Sequence, residues 1–78
     1  MKIYAIKDKG QGFSNVFTAV NNYAALRGFS DLVNGEKNLV ADHPGDFTLY
    51  ELGELNQDTG EISPKVSFVE EAQVLKKA

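Results

Sequence analysis

The 78-residue chain has no cysteine and no tryptophan, one histidine, one methionine and two prolines. Without cysteine there is no disulfide, no thiolate metal site and no catalytic thiol. His43 alone cannot complete any of the usual structural zinc sets. Long apolar runs are missing too. They extend over a few residues, against the roughly 20 that a spanning helix needs, so no membrane partner is expected. Met1 to Asp8 reads as a short strand and lacks the apolar core and small-residue cleavage site of a signal peptide. The expected compartment is the cytoplasm.

Length implies one domain, residues 1–78. A domain this small buries only about 60% of its unfolded surface. Tight packing or oligomerisation must support its core, and a homodimer, joined through the sheet, is expected.

The charge is acidic overall, eight basic residues against eleven acidic ones for a net of −3. That argues against strong, sequence-independent binding to duplex DNA, which draws its affinity from Lys and Arg on phosphates. The balance is uneven. Residues 1–34 carry Lys2, Lys7, Lys9 and Arg27 against Asp8 and Asp31, while residues 35–78 carry four lysines against nine acids. Two faces with different partners would give such a pattern, and so would an ordinary solvated surface.

The period of the apolar residues supplies the elements. Lys2 to Lys7 reads as a strand with Tyr4 and Ile6 on one face and Ile3 and Ala5 on the other, so it is expected to be central or covered on both sides. Gly10-Gln11-Gly12 makes a hairpin-type loop. Phe13 to Val20 is a second strand rich in aromatic and β-branched residues. At Asn21-Asn22 the period changes. Ala25, Leu26, Phe29, Leu32 and Val33 form one helical stripe, with Asn21 or Asn22 as the N-terminal cap and Asn34-Gly35 as the stop. Gly28, inside this helix, costs about 1 kcal/mol relative to Ala.

Glu36 to Asp46 reads as connection, with Leu39-Val40 anchored in the core and turn chemistry at His43-Pro44-Gly45-Asp46. Phe47 to Leu55 is a third strand, with Phe47 and Leu49 facing one way and Tyr50 and Leu52 the other. Asn56 to Gly60 is a hairpin turn with Gly60 in the left-handed position. A fourth strand starts at Glu61 and is interrupted by Pro64 or ends there at an edge, and Val66–Val69 continues extended. Glu70 to Lys77 is a helical turn or a frayed tail. The expected fold is α+β: a small, mostly antiparallel sheet of about four strands in the order β-β-α-β-β, with one main helix packed on one face. The other face must meet solvent, a partner or a second copy.

No catalytic set emerges. His43 precedes a proline and has no evident nucleophile partner. Glu70-Glu71 and the pair Glu51 and Glu54 carry nothing that marks a raised pKa. Asp58-Thr59-Gly60-Glu61 lacks the alternating ligands of a calcium loop. Gly10-Gln11-Gly12 leads into a strand, so it has no helix N-terminus for a phosphate. The chain therefore reads as a binding protein, with no enzymatic activity, metal or cofactor expected.

The aromatic residues offer a surface. Tyr4, Phe17 and Tyr50 fall on three strands, and some of them could share one face. Rings on a sheet face rimmed by lysines can stack single-stranded bases. Lys2, Lys7, Lys9 and Arg27 would meet phosphates, and Tyr4 or Tyr50 would stack. The competing reading is that the rings fill the core or a dimer interface.

Two stretches carry a family resemblance: Arg27-Gly28-Phe29-Ser30-Asp31-Leu32-Val33-Asn34, and His43-Pro44-Gly45-Asp46-Phe47-Thr48-Leu49-Tyr50 with Leu52-Gly53-Glu54. Together with Ile3-Tyr4-Ala5-Ile6-Lys7-Asp8 and Phe17-Thr18-Ala19-Val20-Asn21, the chain resembles, from about Met1 to Phe68, the small nonstructural DNA-binding protein of gokushoviruses. These are single-stranded-DNA phages of the Microviridae. Members usually carry Ala at the position of Gly28 and a more aromatic second strand. The resemblance implies a DNA-associated protein of the infected bacterial cytoplasm, absent from the mature virion. It would assist the switch to single-strand genome synthesis and packaging. It carries over no residue-level site. The alternative is an interaction module for the phage replication initiator, the procapsid or a host factor, without direct DNA contact.

Overall fold

The computed structural model describes residues 1–77. Its elements are β1 (Lys2–Asp8), β2 (Gly12–Ala19), α1 (Asn22–Val33), α2 (Leu39–Asp42), a 3-10 turn (Pro44–Asp46), β3 (Phe47–Leu55), β4 (Ile62–Glu71) and α3 (Ala72–Leu75). The strands form one antiparallel sheet in the order β2-β1-β3-β4. This is the α+β arrangement expected from the apolar period, and of the two readings for β1 the central position holds.

One face of the sheet holds the core. Tyr4 and Ile6 of β1 and Phe47 and Leu49 of β3 are buried there with Ala25, Phe29 and Val33 of α1, Val40 of α2 and Ala72 of α3. Ala25, Phe29 and Val33 repeat at helical spacing on one side of α1. Leu26 and Leu32 flank them, packed against the same cluster.

Asparagines begin and end the helices. The Asn21 side chain accepts from the Ala24 amide at 2.9 Å, and Asn38 does the same for Ala41 at 2.8 Å. Each satisfies an amide that the first helical turn leaves without a partner. Asn34 Nδ2 donates to the Ser30 and Leu75 carbonyls, and its Oδ1 accepts from the Lys77 amide. Lys76 Nζ donates to the Val33 and Ala41 carbonyls, both at 3.1 Å. A cation thus sits on carbonyls near the C-terminal ends of α1 and α2, where the helix dipole favours it. These bonds strap the chain end to both helices.

Two local expectations change, and one open alternative is decided. The connection Glu36–Asp46 contains the short helix α2, and within it only Val40 and Ala41 are buried. Leu39 is 64% exposed instead of anchored, because a single turn presents just one side to the core. Pro64 does not interrupt β4. The strand runs unbroken from Ile62 to Glu71 on the sheet edge, where proline is tolerated because one side of the strand has no partner. The segment after Glu70 forms one helical turn, with Ala72 buried against the core.

The two glycines Gly28 and Gly53 differ in kind. A Cβ on Gly28 would meet nothing within 4 Å. At Gly53, φ is +151° and a Cβ would run into the Ser63 carbonyl and Pro64. β3 and β4 shift register beside this point, with Gly53 opposite Pro64. Gly28→Ala is expected to raise stability by about 1 kcal/mol. Gly53→Ala should lower it by about 1–3 kcal/mol from backbone strain alone, with the steric conflict in addition. Urea midpoints should move in opposite directions.

Candidate functional site

The face of the sheet away from α1 carries a row of aromatic rings. Lys7 pairs with Phe13 across β1 and β2, Ala5 with Tyr50 across β1 and β3, and Tyr50 with Phe68 across β3 and β4. Alternation along β1 sets Ala5 and Lys7 opposite Tyr4 and Ile6. Phe13 and Tyr50 meet edge to face at 5.3 Å between centroids and 78° between planes. Tyr50 and Phe68 do the same at 6.1 Å and 89°. The row therefore crosses all four strands, because Ala5 is small enough for rings from β2 and β3 to meet over β1. Ala5 is fully buried although it lies on the face without the helix.

Edge-to-face contacts of this kind contribute about 0.5–1.5 kcal/mol each beyond the area they bury. They also give the rings different roles. Tyr50 is half-buried as a wedge in the middle. Phe13 and Phe68 remain 46% and 57% exposed. Lys7 Nζ lies 5.5 Å from the Phe13 centroid, a cation held over a ring that already leans on Tyr50. Val66 on β4 adds further exposed apolar surface.

The six candidate residues do not all share this face. Lys7 and Tyr50 are brought together on it. Lys9 lies exposed in the turn that ends β1, where its amide donates to the Asp46 carbonyl. Lys2 and Tyr4 alternate onto the helix-covered face. Lys2 Nζ is 3.3 Å from Glu51 Oε1, so its charge is already partnered. Tyr4 is fully buried, stacked on Phe17 at 5.6 Å and 22°, and has no ring face left for a base. Arg27 lies on the exposed side of α1, 5.9 Å from the Tyr23 centroid. Of the three rings on separate strands, Tyr4 and Phe17 share one face and Tyr50 lies on the other. The reason is strand parity: Tyr4 pairs with Phe17 and Glu51, whereas Tyr50 pairs with Ala5.

Phe13 and Phe68 were not singled out from the sequence. Phe13 follows a glycine at a strand start, and Phe68 follows a proline-bearing segment. The signal that could have found them is their separation from the core stripe of Phe17 and Phe47.

Tyr4 carries the resolved pKa perturbation. Burial pushes its phenol above the ordinary 10.0, the Lys2 charge pulls the other way, and Glu51 adds to the rise. Its hydroxyl donates to Asn22 Oδ1 at 2.6 Å, tying β1 to the first turn of α1. Among the described residues no group of three His, Cys, Asp or Glu side chains could hold a metal ion. Nor, among those residues, is any helix long and apolar enough to cross a membrane.

The raised Tyr4 pKa has a definite sign in stability. The contribution is fully present below about pH 10 and is lost as pH rises through the higher folded value. Tyr4→Phe should remove that part of the alkaline loss. It should also cost about 1 kcal/mol at neutral pH through the lost hydrogen bond. Urea midpoints compared between roughly pH 8 and pH 11 measure both effects.

Comparison with known proteins adds one finding. Residues 1–74 match the family described as Phage ORF5 protein. No curated protein and no solved structure matches the chain.

Proposed function

We propose that this chain, which belongs to the Phage ORF5 protein family, is a non-catalytic phage accessory protein that holds single-stranded DNA on the open face of its sheet. The single observation that carries this reading is the row Phe13–Tyr50–Phe68, with Lys7 over its first ring. Single strands expose base faces that stack on aromatic side chains, and every base has such a face, so binding of this kind tolerates any sequence.

In this reading Phe13 and Phe68 stack bases and Tyr50 holds the two rings apart. Lys7 and Lys9 take phosphates. The net charge of −3 keeps the affinity modest and salt-sensitive. The resemblance to the small gokushovirus protein supports a biological role. The protein would act in the host bacterial cytoplasm, outside the mature virion, and assist the turn to single-strand genome synthesis and packaging. Duplex DNA is the poorer ligand, since its bases are already stacked and its phosphates call for more cations than this face presents.

A second reading has its own support. Val66 and Ile62 lie exposed along β4, 64% and 61% respectively, and Glu71 pairs with Thr48 at the end of the same sheet. Such a surface suits a phage replication or procapsid protein as partner.

Anisotropy of a labelled single-stranded oligonucleotide, at low and moderate salt, separates the readings. Phe13→Ala and Phe68→Ala should each weaken binding by about 1–3 kcal/mol. Lys7→Ala should reduce the salt slope by roughly 0.7. An oligonucleotide that stays unbound at low salt would remove direct DNA contact and leave the protein partner.

A further inference from the structure

The sheet has two edges, and they are built differently. β4 carries Pro64, Lys65, Glu70 and Glu71, and its pairing with β3 shifts register twice. Proline, charge and bulges are how proteins prevent an exposed edge from pairing with another chain. β2 has neither proline nor charge along Gly12–Ala19, and the uncharged stretch extends from Gly10 to Leu26. Its one irregularity is the shift opposite Tyr4–Ile6, where Asn15 takes φ +51°. The segments Gly12–Ser14 and Phe17–Ala19 on either side of that shift keep regular register with β1.

Beside this edge lies an apolar groove of about 460 Å³ between β2 and α1. Val16 and Phe17 line its strand side, Phe29 and Leu32 its helix side, and Gly28 leaves the helix side bare. Val16 and Val20 stand 65% and 68% exposed at and just beyond the strand.

We infer that β2 is the edge through which two copies of this chain pair, antiparallel and about a two-fold axis, into one eight-stranded sheet. The occupant is a second copy because the edge is self-complementary. An antiparallel strand pair satisfies two-fold symmetry by itself, each strand offering the other the same row of donors and acceptors. At a two-fold axis like meets like. β2 brings no ionised group to it, whereas β4 would bring lysine and glutamates and would lack the Pro64 donor.

The strand midpoint falls between Asn15 and Val16, so Val16 of each copy lies beside the axis, at the rim of its own groove. A standard interface removes about 800 Å² from each partner, roughly 15% of the 5189 Å² that one chain exposes. The strand edge, both valines and the groove lining form one contiguous region from which that area can come. The axis is normal to the sheet, so both aromatic rows face the same way.

Sedimentation equilibrium at micromolar concentration tests this. The wild-type chain should give twice 8.6 kDa. Val16→Lys and Thr18→Lys, both at exposed positions of β2, should each give the single-chain mass with an unchanged circular dichroism spectrum. Val66→Lys, on the opposite edge, should leave the mass doubled. A single-chain mass for the wild type would overturn the inference. So would a doubled mass that survives both β2 variants, or one that Val66→Lys alone abolishes.

Discussion

Everything in this molecule depends on how Ala25, Phe29 and Val33 of α1 meet Tyr4, Ile6 and Leu49 of the two central strands. Fully burying one large apolar side chain contributes about 1.5–3 kcal/mol. A domain of 78 residues has few such residues to bury. The cluster fixes the helix on one side of the sheet, and the remaining contacts work to keep it there. Tyr4 contributes twice, through its ring in the core and through its hydroxyl on Asn22. At the other end of α1, Asn34 and Lys76 bind the chain terminus across the helix ends.

The same constraint creates the surfaces that remain. A helix of 12 residues covers one face of four strands and nothing of the other. On the uncovered face the rings of Phe13, Tyr50 and Phe68 support one another edge to face and close over Ala5. They shield backbone that has no helix above it, while Phe13 and Phe68 stay exposed. At the margin of the helix, Gly28 leaves the groove beside β2 unfilled. The ring-bearing face and the β2 edge are thus separate products of a single packing choice.

Much of this was legible from residue order. The break in period at Asn21, the stripe through Phe29 and the turn at Gly60 all follow from local preference and alternation, which act over a few residues. Gly60 has φ +80° as its turn requires. Pro64 marks a possible break in the sequence because a proline lacks a donor. On an edge strand that donor is not needed, and which strand lies at the edge is a property of the whole sheet. Leu39 and Val40 are neighbours of similar hydropathy, and only the direction of α2 decides which of them is buried. The candidate surface was less legible. Choosing Tyr4 as a stacking ring rested on its type and its strand, and burial under α1 reversed that choice.

The sequence by itself determined the four strands, the main helix, their order and the α+β class, because strand and helix periods are written in neighbouring residues. It also determined that no thiol chemistry is available and that the chain is acidic. The tertiary structure alone decided which aromatic residues are core and which are surface. Strand parity sets the side of the sheet, and register sets the partner across it. Neither is fixed until four strands have paired and one helix has settled on one of their two faces.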